Sequence, residues 1–329
     1  MHMVYPDTHW NDTNGNRIEA HAAGMLQSPL DGRWYWYGES KKEDGGQSPT
    51  QGINCYSAVT IAGPWTFEGR VLDQNDVRVP GAQGPWIMQR PKVVFNNSTR
   101  RFVLWFHLDQ PKRIGEDRYA FRSVGTATAT RAAGPFRFVA GFQPDGIPSL
   151  DMNLFLDPLD GQAYLIRDCA HDYVGISRLS ADYLNTTGVI AKIHDCEGMA
   201  MFRLENGTYY LITSHLSGWS PNPLIAWRST KSVLDSSTEW VNLGNPTQDA
   251  TSFNTQPTFV VRYTPARGPA YFVYMADDWL HCGPQNLTDA CYTWLPVSFN
   301  DSSPLPVQIA WRASWDLDDP FRNPRTGSL

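Results

Sequence analysis

Arg33-Trp34-Tyr35-Trp36-Tyr37-Gly38 follows the turn pair Asp31-Gly32, and the same pattern of residue types returns four more times along the chain. Arg101-Phe102-Val103-Leu104-Trp105-Phe106-His107 follows Asn97-Ser98, and Gln162-Ala163-Tyr164-Leu165-Ile166-Arg167 follows Asp160-Gly161. Thr208-Tyr209-Tyr210-Leu211-Ile212-Thr213 follows Asn206-Gly207, and Ala270-Tyr271-Phe272-Val273-Tyr274-Met275 completes the series. Aromatic and β-branched side chains suit a pleated surface, and Asp-Gly or Asn-Gly pairs supply the positive φ angles of a tight hairpin. Each run therefore reads as a strand leaving a turn. Their spacing, roughly 45 to 70 residues, is close to the length of one four-stranded propeller blade. Further strand candidates such as Val124-Gly125-Thr126-Ala127-Thr128-Ala129 fall between them. Ala62-Gly63-Pro64-Trp65 and Ala133-Gly134-Pro135-Phe136 occupy corresponding places in the first two units. No helical apolar period persists anywhere. The pattern predicts an all-β fold, a five-bladed β-propeller spanning residues 1–329 as a single domain, with a sandwich of irregular hairpins as the alternative. No linker or low-complexity tract suggests a second domain. Met1-His2-Met3 reads as a cloning scar in place of a leader, and Asp318-Asp319-Pro320 to Gly327 reads as a fraying tail.

Composition narrows the function. Aromatic residues make up 13% and charged residues only 18%, and the net charge is −6 with no Lys/Arg cluster, which argues against a nucleic-acid partner. No run reaches the roughly 18 apolar residues of a membrane span. The 13 Trp and 14 Tyr are more than a core requires and suit carbohydrate-facing platforms. Asn11, Asn96, Asn97, Asn185, Asn206, Asn286 and Asn300 each open an Asn-X-Ser/Thr sequon, which points to a secretory, extracellular route. Five cysteines fit that compartment. Cys282 and Cys291 are placed to close a short loop, Cys169 and Cys196 to tie two blades, and Cys55 is left over.

Candidate catalytic residues stand where units begin. In a propeller the first strand of each blade converges on a central funnel, so residues distant in sequence meet there. Asp151, in Ser149-Leu150-Asp151-Met152-Asn153, opens the third unit. Glu197, in His194-Asp195-Cys196-Glu197-Gly198, opens the fourth, and Gln256, in Phe253-Asn254-Thr255-Gln256-Pro257, opens the fifth. A carboxylic acid partly buried beside an aromatic ring is what protonating a glycosidic oxygen requires. Ser217-Gly218-Trp219-Ser220-Pro221-Asn222 is a loop of the kind that lines sugar sites, with Gly218 and Trp219 as its contacts. Glu39 and Tyr119 are further candidates for sugar contact, against plain strand-end and loop roles, and Gln89 is another, its amide able to hydrogen-bond a sugar hydroxyl. Asp277 and Asp278 meet the sugar or cap a turn, and of the pair Asp278 is taken as the sugar contact. His21, His107 and His215 show no zinc-site spacing, so neither metal nor cofactor is expected.

These segments together resemble glycoside hydrolase family 43, and within it the exo-β-1,3-galactanase branch. The resemblance rests on Leu150-Asp151-Met152-Asn153-Leu154-Phe155, Cys196-Glu197-Gly198, Ile18 to Gly24, Trp36-Tyr37-Gly38-Glu39, Arg90-Pro91-Lys92-Val93, Ser214 to Pro223 and Asp277-Asp278-Trp279. It implies an inverting exo-hydrolase of β-1,3-galactan, the arabinogalactan backbone, acting as a monomer. It implies Glu197 as general acid, Asp151 as the residue tuning that acid, and Gln256 as the group positioning the attacking water. Most members of the wider family carry a general-base Asp where this chain has Ala22, a gap the galactanase branch shares. At Gln89 the branch carries Glu, and at Leu216 it tends to offer a hydroxyl. Those departures leave open another glycoside as substrate (an arabinofuranoside or galactofuranoside), an engineered variant, or a catalytically impaired glycan-binding protein.

Overall fold

A computed structural model of the chain describes residues 2–41, 50–111, 119–282, 287–300 and 302–322. Five antiparallel sheets of four consecutive strands each form a ring, a five-bladed β-propeller. The repeated aromatic runs are the second strand of every blade: Trp34–Lys41, Arg101–Asp109, Ala163–Asp168, Tyr209–Ser214 and Tyr271–Asp278. The inner strands ahead of them are His21–Gln27, Ile87–Asn96, Met152–Leu156, Glu197–Arg203 and Thr255–Tyr263. The two Ala-Gly-Pro-aromatic segments lead into the outermost strands of blades one and two, each with a cis Gly–Pro bond.

Among the described residues no strand is shared across the closure: the strands of blade one fall within residues 21–73 and those of blade five within residues 255–309. Side-chain packing holds that seam instead. Trp36, Tyr56 and Trp65 of blade one interlock with Val273, Met275, Tyr292 and Trp294 of blade five. Trp36 meets Trp294 at 4.8 Å and Tyr292 at 4.7 Å between ring centroids, and Trp10 caps them at 4.5 Å from Trp294. Each such buried aromatic contributes its area plus about 0.5–1.5 kcal/mol per edge-to-face pair. The indoles are thus mostly structural, not sugar platforms: nine of the thirteen tryptophans are buried. A small clasp pairs Met3–Val4 with Trp315–Asp316, and Leu317 is buried in the same seam. Residues 323–329 and Met1 lie outside the described residues.

Four inner strands carry a bulge where they enter the funnel. One extra residue falls between His21 and Gly24, between Gln89 and Lys92, between Glu197 and Ala200, and between Pro257 and Phe259. In the first, second and fourth blades the residue after the bulge opens is left-handed: Ala22 at φ 50°, Arg90 at 52° and Gly198 at 60°. Bulges bend a strand and re-aim its side chains, and here they turn His21, Gln89 and Glu197 out of the ladder alternation. Left-handed backbone is inexpensive for Gly198 and strained for Ala22 and Arg90, so each is held from outside. Ala22 N–H donates to Asp277 Oδ2 at 2.6 Å, and its carbonyl accepts from Lys92 Nζ at 3.0 Å.

Cys282 and Cys291 form the expected disulfide. Cys169 and Cys196 do not: both are buried free thiols, each turned toward a nearby backbone carbonyl, as is Cys55. His9 approaches the Cys282–Cys291 pair within metal-ligand distance, but sulfurs joined to each other are not thiolate ligands. Among the sequons, Asn11, Asn97, Asn185, Asn206 and Asn300 are exposed. Asn96 is buried, its amide donating to Ala181 O at 2.8 Å, and Asn286 lies outside the described residues.

Candidate active site

The funnel narrows to a cavity of about 370 Å³. Glu197, Asp151, Gln256, Glu39, Gln89, Tyr119, Gly218 and Trp219 all line it, gathered from all five blades. Asp278, expected to meet the sugar, does not line the cavity, and neither do Asp277, His21 and His215. The buried Asp278 carboxylate accepts from the backbone of Leu280 at 3.2 Å and His281 at 2.9 Å, closing the turn after its strand. Neighbouring strand residues face opposite sides, so Asp277 and Asp278 cannot both point at the axis. Asp277 points under the cavity floor at Ala22, and burial pushes its carboxyl up to about 6.

Glu197 is held in the acid form. Burial is the main cause, the Asp151 carboxylate adds to it, the Arg90 guanidinium opposes both, and the result is pushed up to about 8. Asp151 goes the other way. Burial alone would raise it, but Arg90 Nη2 at 2.8 Å, His107 and the Gly198 N–H at 3.1 Å outweigh burial and hold it below the ordinary carboxylate range. Two carboxyls driven apart by their surroundings are the arrangement of an acid and its charged partner.

Arg90 is the hub that sequence inspection did not single out. Besides Asp151, it donates to Gln256 Oε1 at 2.7 Å and to Pro257 O at 2.9 Å. Trp279 Nε1 gives the same Gln256 oxygen a second bond at 2.9 Å. Arg and Trp only donate, so the amide orientation of Gln256 is fixed by its partners. Its nitrogen then faces Glu197 Oε1 at 3.2 Å and Ser214 Oγ at 3.3 Å. Acid and amide are in direct contact.

The opposite wall is built from Glu39, ion-paired to Lys41 at 2.9 Å, and from Gln89, whose Oε1 lies 3.3 Å from His107 Nδ1. His107 Nε2 lies 3.1 Å from Asp109. The rim carries Trp219, Leu216, Tyr119 and His171. His171 sits in a tight turn with Ala170, both left-handed, and is tied to Asp168 through its backbone N–H and its ring, each at 2.6 Å. Burial pushes Asp168 up to about 6, despite those contacts.

A protonated carboxyl beside a charged one, in a cavity lined also by indole and phenol, is the equipment of a glycoside hydrolase. Comparison with solved structures agrees. The chain is 30% identical to a GH43 β-1,3-galactosidase solved with galactodeoxynojirimycin, at a TM-score of 0.80, covering 95% of this chain and 100% of that one. An exo-β-1,3-galactanase from Clostridium thermocellum is 29% identical, with a TM-score of 0.80, over 95% of this chain and 66% of that one. A variant of the exo-β-1,3-galactanase from Phanerochaete chrysosporium, solved with β-1,3-galactotriose, is 27% identical with a TM-score of 0.81, over 96% and 68% respectively. No family model and no curated protein matches the chain. The chain belongs to glycoside hydrolase family 43.

Proposed function

We propose that this hydrolase removes galactose units one at a time from the end of β-1,3-galactan, with inversion at the anomeric carbon. The observation that carries the reading is Glu197: a cavity-lining carboxyl pushed up to about 8 and therefore loaded with a proton at neutral pH. That proton passes to the glycosidic oxygen as the bond to the anomeric carbon breaks, while water adds to the opposite face and releases one proton to solvent water, from which the Glu197 carboxylate is reloaded before the next turnover. Asp151, kept ionised by Arg90, keeps Glu197 protonated by repulsion.

Gln256 positions water by donation, since both lone pairs of its carbonyl are engaged by Arg90 and Trp279. In this role its amide must part from Glu197, now 3.2 Å away, so that the sugar ring lies between the acid and the water. Glu39 and Gln89 supply the remaining polar wall. The cavity of about 370 Å³ is of a size to take a sugar, and exo action is the mode named for two of the solved relatives. The solved relatives are β-1,3-galactosidases and galactanases, and one holds β-1,3-galactotriose, which supports the linkage. The protein acts as a secreted, extracellular monomer on arabinogalactan-type chains. The Cys282–Cys291 bridge and the exposed sequons support that compartment.

Incubation with β-1,3-galactooligosaccharides followed by chromatography tests the proposal. Galactose released stepwise, with the α-anomer appearing first, supports it. Release from an arabinofuranoside or galactofuranoside instead would move the substrate. Binding without any product would make it a glycan-binding protein, the reading that the Gln89 amide favours.

A further inference from the structure

One buried charge at the site has no part in the mechanism above. Lys41 ends the second strand of blade one, two residues beyond Glu39, so both side chains leave the same face. Both are almost fully buried, at 3% and 1% exposure, with Nζ 2.9 Å from Glu39 Oε2. The same ammonium lies 5.0 Å from the Trp279 ring centre and 5.4 Å from that of Trp219, and the two indoles meet edge to face at 5.1 Å. An ammonium removed from water needs its charge met, and here one carboxylate and two aromatic rings meet it. Its partners come from three blades. Glu39 is in the first, Trp219 in a loop of the fourth, and Trp279 at the end of the second strand of the fifth. Trp279 in turn holds Gln256.

We propose that Lys41 is a positioning residue for the sugar pocket, aiming the Glu39 carboxylate into the cavity and pinning Trp219 at its rim. The proposal rests on the reading of this cavity as a galactose site. Lys41 does not line the cavity, so it acts through Glu39 and the indoles. Its charge also offsets one of the carboxylates crowded there. Without it the pocket is less ordered and one unit more negative. A neutral and a cationic ligand therefore respond differently, which loss of fold alone would not produce.

The test is calorimetric titration of the full chain with galactose and with galactodeoxynojirimycin, whose ring amine is cationic when protonated. Lys41→Met is expected to weaken galactose about tenfold, while galactodeoxynojirimycin stays within about twofold or tightens. Lys41→Arg, which keeps the charge over the rings, is expected to stay within about threefold of wild type for both ligands. Equal losses of both ligands in Lys41→Met, unrescued by Arg, would overturn the positioning role. If Lys41→Met does not fold, Lys41→Arg decides alone: near-wild-type galactose affinity supports the role, and a loss of about tenfold overturns it. Wild-type protein that binds neither ligand would sink the galactose reading and this proposal with it, an outcome distinct from the others.

Discussion

The openings of the second and fourth blades use one backbone device for opposite ends. In both, a bulge and a left-handed residue turn a side chain into the funnel: Gln89 before Arg90, and Glu197 before Gly198. In the fourth blade the left-handed residue is glycine, which tolerates the angle and carries nothing of its own. Its bare N–H goes to Asp151. In the second blade that residue is arginine, which is strained there but reaches both Asp151 and the fifth blade. One opening presents a neutral acid and the other a permanent cation. Asp151 sits between them and is claimed by both. The difference teaches that the chemistry of the site resides less in the bulges than in the identity of the residue on either side of each turn.

Replacing the acid breaks the fourth-blade side most severely. Glu197→Gln is expected to lower kcat on β-1,3-galactobiose by about 10²–10⁴-fold, with ligand affinity little changed. Steady-state kinetics beside calorimetric binding would show it, and wild-type turnover would remove Glu197 from the mechanism.

On the second-blade side, Arg90→Met leaves the buried Asp151 carboxylate and the Gln256 carbonyl without their donor. A loss of about 3–5 kcal/mol in stability is expected, the size seen when one partner of a buried pair is removed. Denaturant titration measures it, and an unchanged midpoint would mean that Arg90 is not the hub.

Asp151→Asn sharpens the link between the two. It removes the second-largest cause of the Glu197 shift while burial remains. The acid must be protonated to work, so a lower pKa means activity is lost at lower pH. The alkaline limb of kcat/KM is therefore expected to move down toward, but not reach, the ordinary Glu value of 4.5. An unmoved limb would mean that Asp151 does not tune the acid.

The smallest effect comes from Gly198→Ala. A Cβ there would lie 2.9 Å from Gln256 Cγ and from Ser214 Oγ, in addition to the left-handed backbone. About 1–2 kcal/mol of stability is expected to be lost, with a modest fall in kcat as Gln256 is displaced. Thermal melts beside kinetics check both.

Much of this was legible in the chain, for definite reasons. The second strand of a blade is buried on both faces, so it reads as a continuous aromatic and β-branched run. Five such runs fixed the number of blades. That Glu197, Asp151 and Gln256 line the cavity is legible because each precedes such a run, at the strand that enters the funnel. Arg90 was hidden because its importance lies in reaching two other blades, which no local pattern encodes. Lys41 was hidden because a lysine at a strand end reads as solvated. The Trp-rich composition misleads in part, since nine of the thirteen indoles are buried and five of those lie in the cluster at the seam between blades one and five. Asp278 was misplaced because an Asp-Asp pair shows no sign of which member faces the axis. Cys169 and Cys196 do not pair, because each thiol is turned toward a backbone carbonyl two residues away.

The protonation state of Glu197 in the free enzyme is where the account is most exposed. The pH dependence of kcat/KM on a β-1,3-galactooligosaccharide reads it directly. A plateau through neutrality that falls above about pH 8 is the predicted result. A fall beginning near pH 4.5, the value of an ordinary glutamic acid, would contradict it.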